Sequence, residues 1–526
     1  NIITNDSYVD DQVTASYGGY GTRTAALRWS DFGEHFHVIV NAGIYDTDGL
    51  DHDLRELVGE DNLVALPLFG VTDDNASLDG KMEQRYGQVQ LSAVWKEVYF
   101  ELTRNQAEVE SFSGYPAIDE GNLRDTENTR VTLGTDLSLG GELRLDTRLT
   151  YNTFDSDEAY DALFKGFEGY HGVDFNNWEF ESLLSYVPSD ELLVVAGVNW
   201  QRMQNFRELT HIPPLNLLNE TVVIDKRVIR AAFAQFNYQV SEPLRLVAGY
   251  RVEELKPHRR FIYADNAPTV DGVKGGQVHG MPRLSLIYQP SQSRVLKLMA
   301  GDAIKFPSFP DLLVPSERVR TIEANYTYTQ ENLLLSGSVF LNSHRDLLTE
   351  EIRFLPNFTI DNDRISGGKA DMRGVEALAS LSFSDAYRME LGATYQDSDY
   401  SFHPQGFASY SPDLVAHAKF SYRRDGFSAA WLARYVDGMR SFYNVNPDEP
   451  ADRPDGYFGE PVGSYVVVDA NARWNDLWGG LFVSLHVSNL FDTEVRYPNN
   501  PINGRLLDRG HIGYGRMVSV KAGVQF

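Results

Sequence analysis

A short basic run stands out in a chain that is otherwise strongly acidic. The 526 residues carry a formal net charge of −27, so a local group of cations is a candidate site for an anionic metal chelate or a carboxylate. The planar guanidinium group binds such ligands through paired hydrogen bonds. Ion pairs with neighbouring acidic loops, or contact with lipopolysaccharide phosphate, would explain the same run. The candidate ligand-binding residues are Lys256, His258, Arg259, Arg260 and Lys274.

Aromatic residues in the predicted loops form a second candidate group. Aromatic rings offer a large contact area at a small entropic cost, and they stack on catecholate or sugar rings. Packing of one loop on another, or a girdle of rings around the fold, is the competing interpretation. The main candidates are Tyr115, Phe164, Phe167, Tyr170 and His171. Phe112, Tyr443, Tyr457 and Phe458 belong to the same group.

Two further groups carry side chains that bind metals. Clustered carboxylates in the segment DTDGLDHD could hold calcium through hard oxygen ligands, although their spacing is not that of an EF-hand loop and a solvated acidic loop is the alternative. His35 and His37 are predicted to share one face of a strand, a spacing open to a metal or to contact with a neighbouring domain. No other cofactor is predicted. The carboxylates are Asp46, Asp48, Asp51 and Asp53.

Composition excludes several classes of function. The chain has no cysteine, which removes disulfides, thiolate metal sites and cysteine nucleophiles. Its acidity argues against a nucleic-acid partner, because binding phosphate backbones requires a basic surface. We find no Ser-His-Asp order, phosphate-binding glycine loop or catalytic carboxylate pair, and therefore predict that the chain is not an enzyme.

The sequence predicts that the secondary-structure elements carrying these residues are β-strands. In the last eleven residues, RMVSVKAGVQF, positions 518, 520, 522, 524 and 526 are apolar and most of the intervening positions are polar. Such alternation places the two sets on opposite faces of a strand. ELRLDTRLTY and SYVVVDANARW show the same pattern. No apolar run approaches the about 18–20 residues of a membrane helix, whereas a strand of a membrane barrel needs only about 9–11.

The connections between strands alternate between two kinds. Short ones are predicted at 30–34, 138–142, 187–190, 241–243, 290–293, 329–332, 383–387 and 423–426. Long ones are predicted at 49–84, 111–129, 160–176, 209–226, 259–279, 353–370, 402–412, 443–463 and 497–515. The pattern predicts an all-β fold, a transmembrane antiparallel β-barrel of about 22 strands with long extracellular loops and short periplasmic turns. A β-sandwich would mix loop lengths at both ends, and a propeller would show a repeat.

Several segments, in order along the chain, resemble the TonB-dependent outer-membrane receptor family. NIIT at the start is similar to the last strand of that family's plug domain, and 13–28 looks like its first barrel hairpin. KFPSF in 301–313, PSERVRTIE in 314–328, Gly-Val-Glu in 372–383 and Asn-Leu-Phe-Asp in 487–498 resemble motifs of later strands. The terminal phenylalanine fits the assembly signal of outer-membrane barrels.

The resemblance implies a domain plan and a function. Residues 1–8 would be a remnant of the plug's last strand and linker, and 9–526 the transmembrane barrel. The expected function is TonB-dependent uptake of a scarce nutrient across the outer membrane of a Gram-negative bacterium, most commonly a ferric siderophore or similar metal chelate. The TonB complex would act through a plug that we expect upstream of this chain. Lipid and lipopolysaccharide would surround the barrel.

Two other functions stay open at this point. A plugless diffusion pore would need no energy, and an adhesion or assembly platform would bind a surface protein through its long loops. Segment 49–84, with its apolar LVALPLFGV, is the expected contact for such a partner, or a lid over the lumen. Cobalamin, haem, oligosaccharides and peptides remain alternative substrates.

Overall fold

The fold is a closed barrel of 22 antiparallel strands. The computed structural model describes residues 11–69, 71–111, 122–161, 168–213, 217–223, 226–264, 267–274, 276–307, 314–354, 360–445, 456–499 and 507–526. The predicted fold class is therefore confirmed, including the strand number. No helix among the described residues is long and apolar enough to cross a membrane.

The barrel strands follow one another around the wall, each antiparallel to the next. In order they are β1 (Gln12–Gly18), β2 (Arg23–Phe32), β3 (Phe36–Thr47), β4 (Gln84–Trp95), β5 (Val98–Ser111), β6 (Asn122–Gly140), β7 (Leu143–Asp161), β8 (Glu168–Ser189), β9 (Leu192–Ile212), β11 (Arg227–Ser241), β12 (Leu244–Leu255), β15 (Gln277–Ser291), β16 (Arg294–Lys305), β17 (Glu317–Thr329), β18 (Leu333–Phe354), β19 (Ile360–Ser382), β20 (Tyr387–Tyr400), β21 (Leu414–Arg424), β22 (Phe427–Val436), β25 (Tyr465–Trp474), β26 (Leu481–Ser488) and β29 (Met517–Gln525).

The remaining elements belong to the loops at one end. Three strands extend the wall beyond β9: β10 (Leu217–Val223), β13 (His258–Ala264) and β14 (Ala267–Lys274). Two short hairpins pair β23 (Phe442–Tyr443) with β24 (Tyr457–Phe458), and β27 (Arg496–Tyr497) with β28 (His511–Ile512). The loop after β3 holds two 3-10 turns, Leu54–Leu57 and Leu66–Phe69, and the one-turn helix α1 (Glu60–Leu63).

The first and last strands close the barrel. Their register runs from Gln12 opposite Gln525 to Gly18 opposite Ser519. Closure leaves no unpaired edge in the wall, which is what hydrocarbon surroundings require. On β29, Val518, Val520 and Val524 are 47%, 50% and 41% exposed, so the apolar face of this strand points outwards, as its alternation predicts.

The two ends of the barrel differ as predicted, but the strands are longer than the sequence indicates. Each predicted short connection is a tight turn, whereas 122–129, 168–176 and 360–370 continue β6, β8 and β19 instead of forming loops. β19 reaches 23 residues, far more than a bilayer requires. The prediction that His35 and His37 share a strand was also wrong, because His35 lies in the turn before β3.

Candidate functional site

Four of the long loops pack together above the last strands and the first ones. We call the described parts of 48–83, 401–413, 437–464 and 489–516 the loop cluster. Its apolar core joins the first of these loops to the last and explains why LVALPLFGV folds back on the protein. The core residues are Leu54, Leu57, Val58, Leu66, Val71, Ala76, Leu78, Leu507 and Ile512.

Hydrogen bonds hold the same two loops in register. The backbone N–H of Gly59 donates to Asp508 Oδ1 at 2.6 Å, and that of Arg509 donates to the carbonyl of Leu57 at 3.1 Å. Asp53 caps the first 3-10 turn by accepting from the N–H of Arg55 at 2.9 Å. The Arg55 guanidinium also holds the pKa of the Asp53 carboxyl below its usual value. Segment 49–84 is thus an ordered part of the loop cluster.

A buried histidine that was not among the predicted candidates joins the other two loops. His403 is 8% exposed, and its Nδ1 accepts from the backbone N–H of Gln405 at 3.0 Å. Nε2 therefore carries the proton and donates to Tyr457 Oη at 2.7 Å. The ring packs edge-on against Tyr443 with centroids 4.4 Å apart. Burial, and then the charge of Arg440, lower the pKa of His403, so the neutral form is favoured.

These contacts place three of the predicted aromatic residues inside the loop cluster. Tyr443 and Tyr457 are opposite each other in a hairpin and both contact His403. Phe458 is 1% exposed and stacks on Phe442. For these three, the competing interpretation of loop-on-loop packing agrees with the geometry.

The predicted basic run lies at the base of the three strands that extend β9. Lys256 pairs with Glu254 at 2.7 Å, and His258 is fully buried with its Nδ1 3.1 Å from the carbonyl of Lys256. Arg259 is exposed, and the register sets Lys274 opposite His258. Arg260 lies on β13 between Val223 and Asp271. The structure therefore brings the backbones of the five residues together, and the side chains of Lys256 and His258 have partners within the protein.

Tyr170 and His171 lie on β8, at the far end from its turn. Tyr170 Oη donates to Asp157 Oδ1, and His171 Nδ1 is 3.2 Å from Thr210 Oγ1. Tyr170 and Glu110 also line a cavity of about 500 Å³ above β5–β9. Tyr115, Phe164, Phe167 and Phe112 fall outside the described residues.

The four aspartates of the predicted calcium site point to different partners. Asp46 pairs with Arg85 at 3.1 Å, and Asp53 pairs with Arg55. Asp48 lies against Gly21 in the turn between β1 and β2, and Asp51 is exposed. Across the described ranges, no group of three or more carboxylate or imidazole side chains is arranged to hold a metal. The geometry gives the calcium hypothesis no support.

The inward face of the barrel carries two kinds of polar wall. On β3–β8 it is rich in amides: Gln88, Asn105 and Asn128 lie opposite one another across three strands, and Asn128 Nδ2 donates to Asn152 Oδ1 at 3.1 Å. On β20–β25 it is charged, with Arg434 2.6 Å from Asp469. Sequence reasoning missed the amides, although their inward parity on consecutive strands could have revealed them. This wall can bind polar ligands through hydrogen bonds and ion pairs.

Comparisons with known proteins agree with this architecture. The family model described as TonB dependent receptor-like, beta-barrel matches residues 69–490. No curated protein sequence matches the chain. The solved structure of the ferric yersiniabactin uptake receptor FyuA from Yersinia pestis aligns with a TM-score of 0.76 at 14% identity, over 100% of this chain and 81% of that one.

Two other solved structures are similar. The copper transporter OprC aligns with a TM-score of 0.75 at 15% identity, over 98% of this chain and 80% of that one. The ferric-catecholate import receptor Fiu from E. coli K12, in its closed form, aligns with a TM-score of 0.69 at 14% identity, over 98% and 82%. At such identities the likeness concerns the fold, whereas the family match covers most of the sequence. The chain therefore belongs to the TonB-dependent receptor family, as its β-barrel, and this family comprises transporters and receptors of the Gram-negative outer membrane, not enzymes.

Proposed function

We propose that this barrel belongs to a receptor for energised uptake of a ferric siderophore or a similar metal chelate. The observation that carries the proposal is a closed 22-strand barrel of this family whose lumen is lined by hydrogen-bonding groups. Barrels of this width need a plug to stay selective, and the family's dependence on TonB supplies the energy to move one. The nearby solved structures named for iron chelate and copper transport favour a chelated metal as cargo.

The chemistry of the extracellular end suits such a cargo. A metal chelate presents carboxylate, phenolate or amide oxygens around a compact centre, and these oxygens accept from guanidinium and ammonium groups. Arg259 is exposed at the base of the strands that extend β9; it lies on β13 together with Arg260, and Lys274 lies on β14, the partner of β13. Tyr170 and His171 lie on β8, which β9 and β10 separate from β13. We propose Arg259, Arg260, Lys274 and His171 as contacts for the chelate, whereas Tyr170 shares the outward face of the wall with Asp157 and is not among them.

The mechanism is binding followed by gated passage, with no covalent step in this chain. The loops and the upper lumen hold the chelate, the amide and charged walls provide successive polar contacts, and TonB acts on the plug. Neither the diffusion pore nor the adhesion platform is favoured. No observation points to free diffusion, and most apolar residues of segment 49–84 are buried in the core of the loop cluster and so are not exposed to a partner.

Uptake in cells tests the proposal. The natural full-length protein is expressed in a host that lacks its own receptors for iron chelates, with and without TonB, and supplied with ⁵⁵Fe bound to catecholate, hydroxamate or carboxylate siderophores. Accumulation of one chelate class that requires TonB would support the proposal. Equal accumulation without TonB would indicate a pore. Uptake of cobalamin, haem or an oligosaccharide, with no iron chelate taken up, would overturn the substrate class while leaving the family assignment intact.

A further inference from the structure

One row of paired residues on the inner wall runs from β11 to β1 without a carboxylate, and we call it the ramp. It begins at Arg227, the first residue of β11, and ends at Gln12, the first residue of β1. Each strand between these ends contributes one residue, which the register sets directly opposite the next. Two of these residues are Arg130 and Arg28. The others carry no charge: Met203, Asn177, Asn152, Thr103, Gln90 and Asn41.

The ramp faces the lumen and descends along the wall. Leu27 and Trp29, on either side of Arg28, are the outward residues at 40% and 41% exposure. Neighbouring strands are about 4.8 Å apart, so the steps from Arg227 to Gln12 cover about 43 Å in all. Because barrel strands tilt by about 35–45°, a row perpendicular to them changes height by about 25–30 Å over that length. The hydrocarbon core is about 30 Å thick, so the ramp connects the two ends of the membrane-spanning wall.

Three arginines divide the ramp into equal intervals. Arg227 on β11, Arg130 on β6 and Arg28 on β2 are each four wall strands apart, which is about 19 Å along the ramp. Arg227 donates from Nη2 to the carbonyl of Pro307 at 2.9 Å. The side chains of Arg130 and Arg28 make no hydrogen bond or ion pair with any residue that the structure describes, although Nε of Arg28 is buried. These two guanidinium groups are therefore available to a ligand in the lumen.

The carboxylates nearest to the ramp leave its positive charge in place. Glu101 lies in the next row towards the periplasm and, within the described part of the chain, forms no ion pair with Arg130. Asp11, near the lower end, accepts from the N–H and Oγ of Ser30 at 2.7 and 2.8 Å. The next row on the extracellular side has no carboxylate from β1 to β8. On a chain with a net charge of −27, this part of the lumen therefore favours an anionic ligand.

Amides fill the intervals between the arginines. Asn152 Oδ1 accepts from Asn128 Nδ2 at 3.1 Å, whereas Oδ1 of Asn177 is buried and accepts from no described residue. An amide group both donates and accepts, so it can bind the oxygens of a ligand, or water, without fixing a charge. Passage requires several sites that each bind weakly enough for the ligand to leave. Cations separated by amides meet that requirement for an anion.

We propose that an anionic metal chelate passes along the ramp, from Arg227 to Arg130 and then to Arg28. The inference rests on the uptake function proposed above, and it adds the charge of the cargo and the side of the lumen that the cargo follows. A catecholate or carboxylate chelate with a net negative charge gains from each arginine, whereas an uncharged hydroxamate chelate does not. The upper end of the ramp lies just below β10, which pairs with β9 from Arg207 upwards, so it adjoins the strands that carry the proposed surface contacts.

Surface binding and uptake by the natural full-length protein test the proposal, in a host that lacks its own receptors for iron chelates. The probes are ⁵⁵Fe bound to a tricatecholate, to citrate and to an uncharged trihydroxamate. Binding is measured on chilled cells, and the initial rate of uptake on energised ones. R28Q/R130Q should lower the uptake rate of the anionic chelate about tenfold and change surface binding by less than about twofold. N152D sets a carboxylate opposite Arg130 at nearly constant shape, so it should act like R130Q, whereas R130K should keep most of the rate.

The matched controls are K297Q and N325D. Lys297 and Asn325 also face the lumen and lie directly opposite each other, but on β16 and β17, in a row that contains Glu376. Folding of each variant is checked by the shift of the unheated protein on a denaturing gel, so that loss of uptake is separated from loss of the barrel.

Three results would overturn the ramp as the route. The controls could lower uptake as much as the ramp variants, folded R28Q/R130Q could keep the wild-type rate, or it could lose surface binding and uptake equally. Accumulation of the trihydroxamate alone would also overturn it, although energised chelate uptake would stand. If no chelate is accumulated at all, both proposals fall.

Discussion

Two regions at the extracellular end are ordered by different means. The loop cluster is held by side chains: an apolar core of nine residues, a capped 3-10 turn and a buried histidine. The protruding sheet, which we define as β10, β13 and β14, continues the wall through backbone ladders. Each of its strands adds to the last by a ladder that begins on β9, and β14 has one partner strand among the described residues. A barrel can thus order its loops by burying their side chains or by extending its wall strands. We expect different substitutions to destabilise the two regions.

The largest effect is expected from truncation in the core of the loop cluster. Leu57 is 2% exposed, so Leu57→Ala should cost about 2–5 kcal/mol of local stability through the cavity that it leaves. Hydrogen exchange should rise in 48–83 and 507–516 while the barrel strands and the protruding sheet stay protected. Val64→Ala on the same loop is the control, because Val64 is 81% exposed. Equal exchange in the two variants would contradict a core held by side chains.

The converse change should break the protruding sheet and leave the loop cluster intact. Ile262 lies between Thr221 and Thr269, and Ile262→Pro removes its N–H from the ladder at a cost of about 1–3 kcal/mol. We expect rapid hydrogen exchange over 258–274 in this variant. Ile262→Ala keeps the backbone donor and should change exchange less. If alanine were as disruptive as proline, side-chain packing would hold this sheet as well.

Acid should loosen the loop cluster. Burial lowers the pKa of His403 and of His511, whereas both would return towards 6.5 when the loops open. Above pH 6.5 both histidines are neutral whether the loops are packed or open, so they do not affect the stability of the loop cluster. Below pH 6.5 the histidines of the open loops bind more protons than those of the packed loops. Stability should then fall as the pH drops below 6.5, by at most about 1.4 kcal/mol per pH unit for each histidine. Limited proteolysis between pH 7.5 and 5 should show this loss, and His403→Gln should reduce its pH dependence by about half.

The smallest effect is expected at the base of the protruding sheet. The pair of Lys256 and Glu254 is partly exposed and connects residues two apart, so Lys256→Gln should change stability by less than about 1 kcal/mol. Chelate uptake, in contrast, should weaken if this run contacts the cargo. Thermal unfolding and ⁵⁵Fe uptake by the same variant separate the two roles. A large loss of stability would mean that Lys256 is structural.

The sequence predicts the wall of the barrel well, because lipid on one side and a polar lumen on the other impose alternation. Val518, Val520 and Val524 are outward as expected. Alternation stops where both faces of a strand are wet, so the polar stretch 122–130 looked like a loop although it continues β6. Contacts that depend on the register between strands cannot be predicted from a short stretch of sequence either. Arg318, Arg345 and Lys369 are at least 24 residues apart in the chain and neighbours only across three strands.

The candidate site was predicted less well than the fold. A basic run such as 256–260 can be recognised from the sequence. The ion pair of Lys256 and the burial of His258 depend on the fold and cannot. The residues next to His403 in the sequence do not indicate its role, because the tyrosines that it contacts, Tyr443 and Tyr457, lie 40 or more residues further along the chain. A short loop with one histidine is unremarkable until a second loop covers it.

The seam between β1 and β29 has a consequence for how the molecule is made. Its seven backbone pairs, Gln12 with Gln525 through Gly18 with Ser519, join positions separated by almost the whole chain. Every other wall strand finds its neighbour within one hairpin or one loop, so this seam has the largest sequence separation of the wall contacts and the highest entropic cost of closure. We therefore expect the seam to be the last contact of the wall to form. Linking β29 directly to β1 and opening a tight turn such as 423–426 would move the seam elsewhere, and the same barrel would close between two other strands.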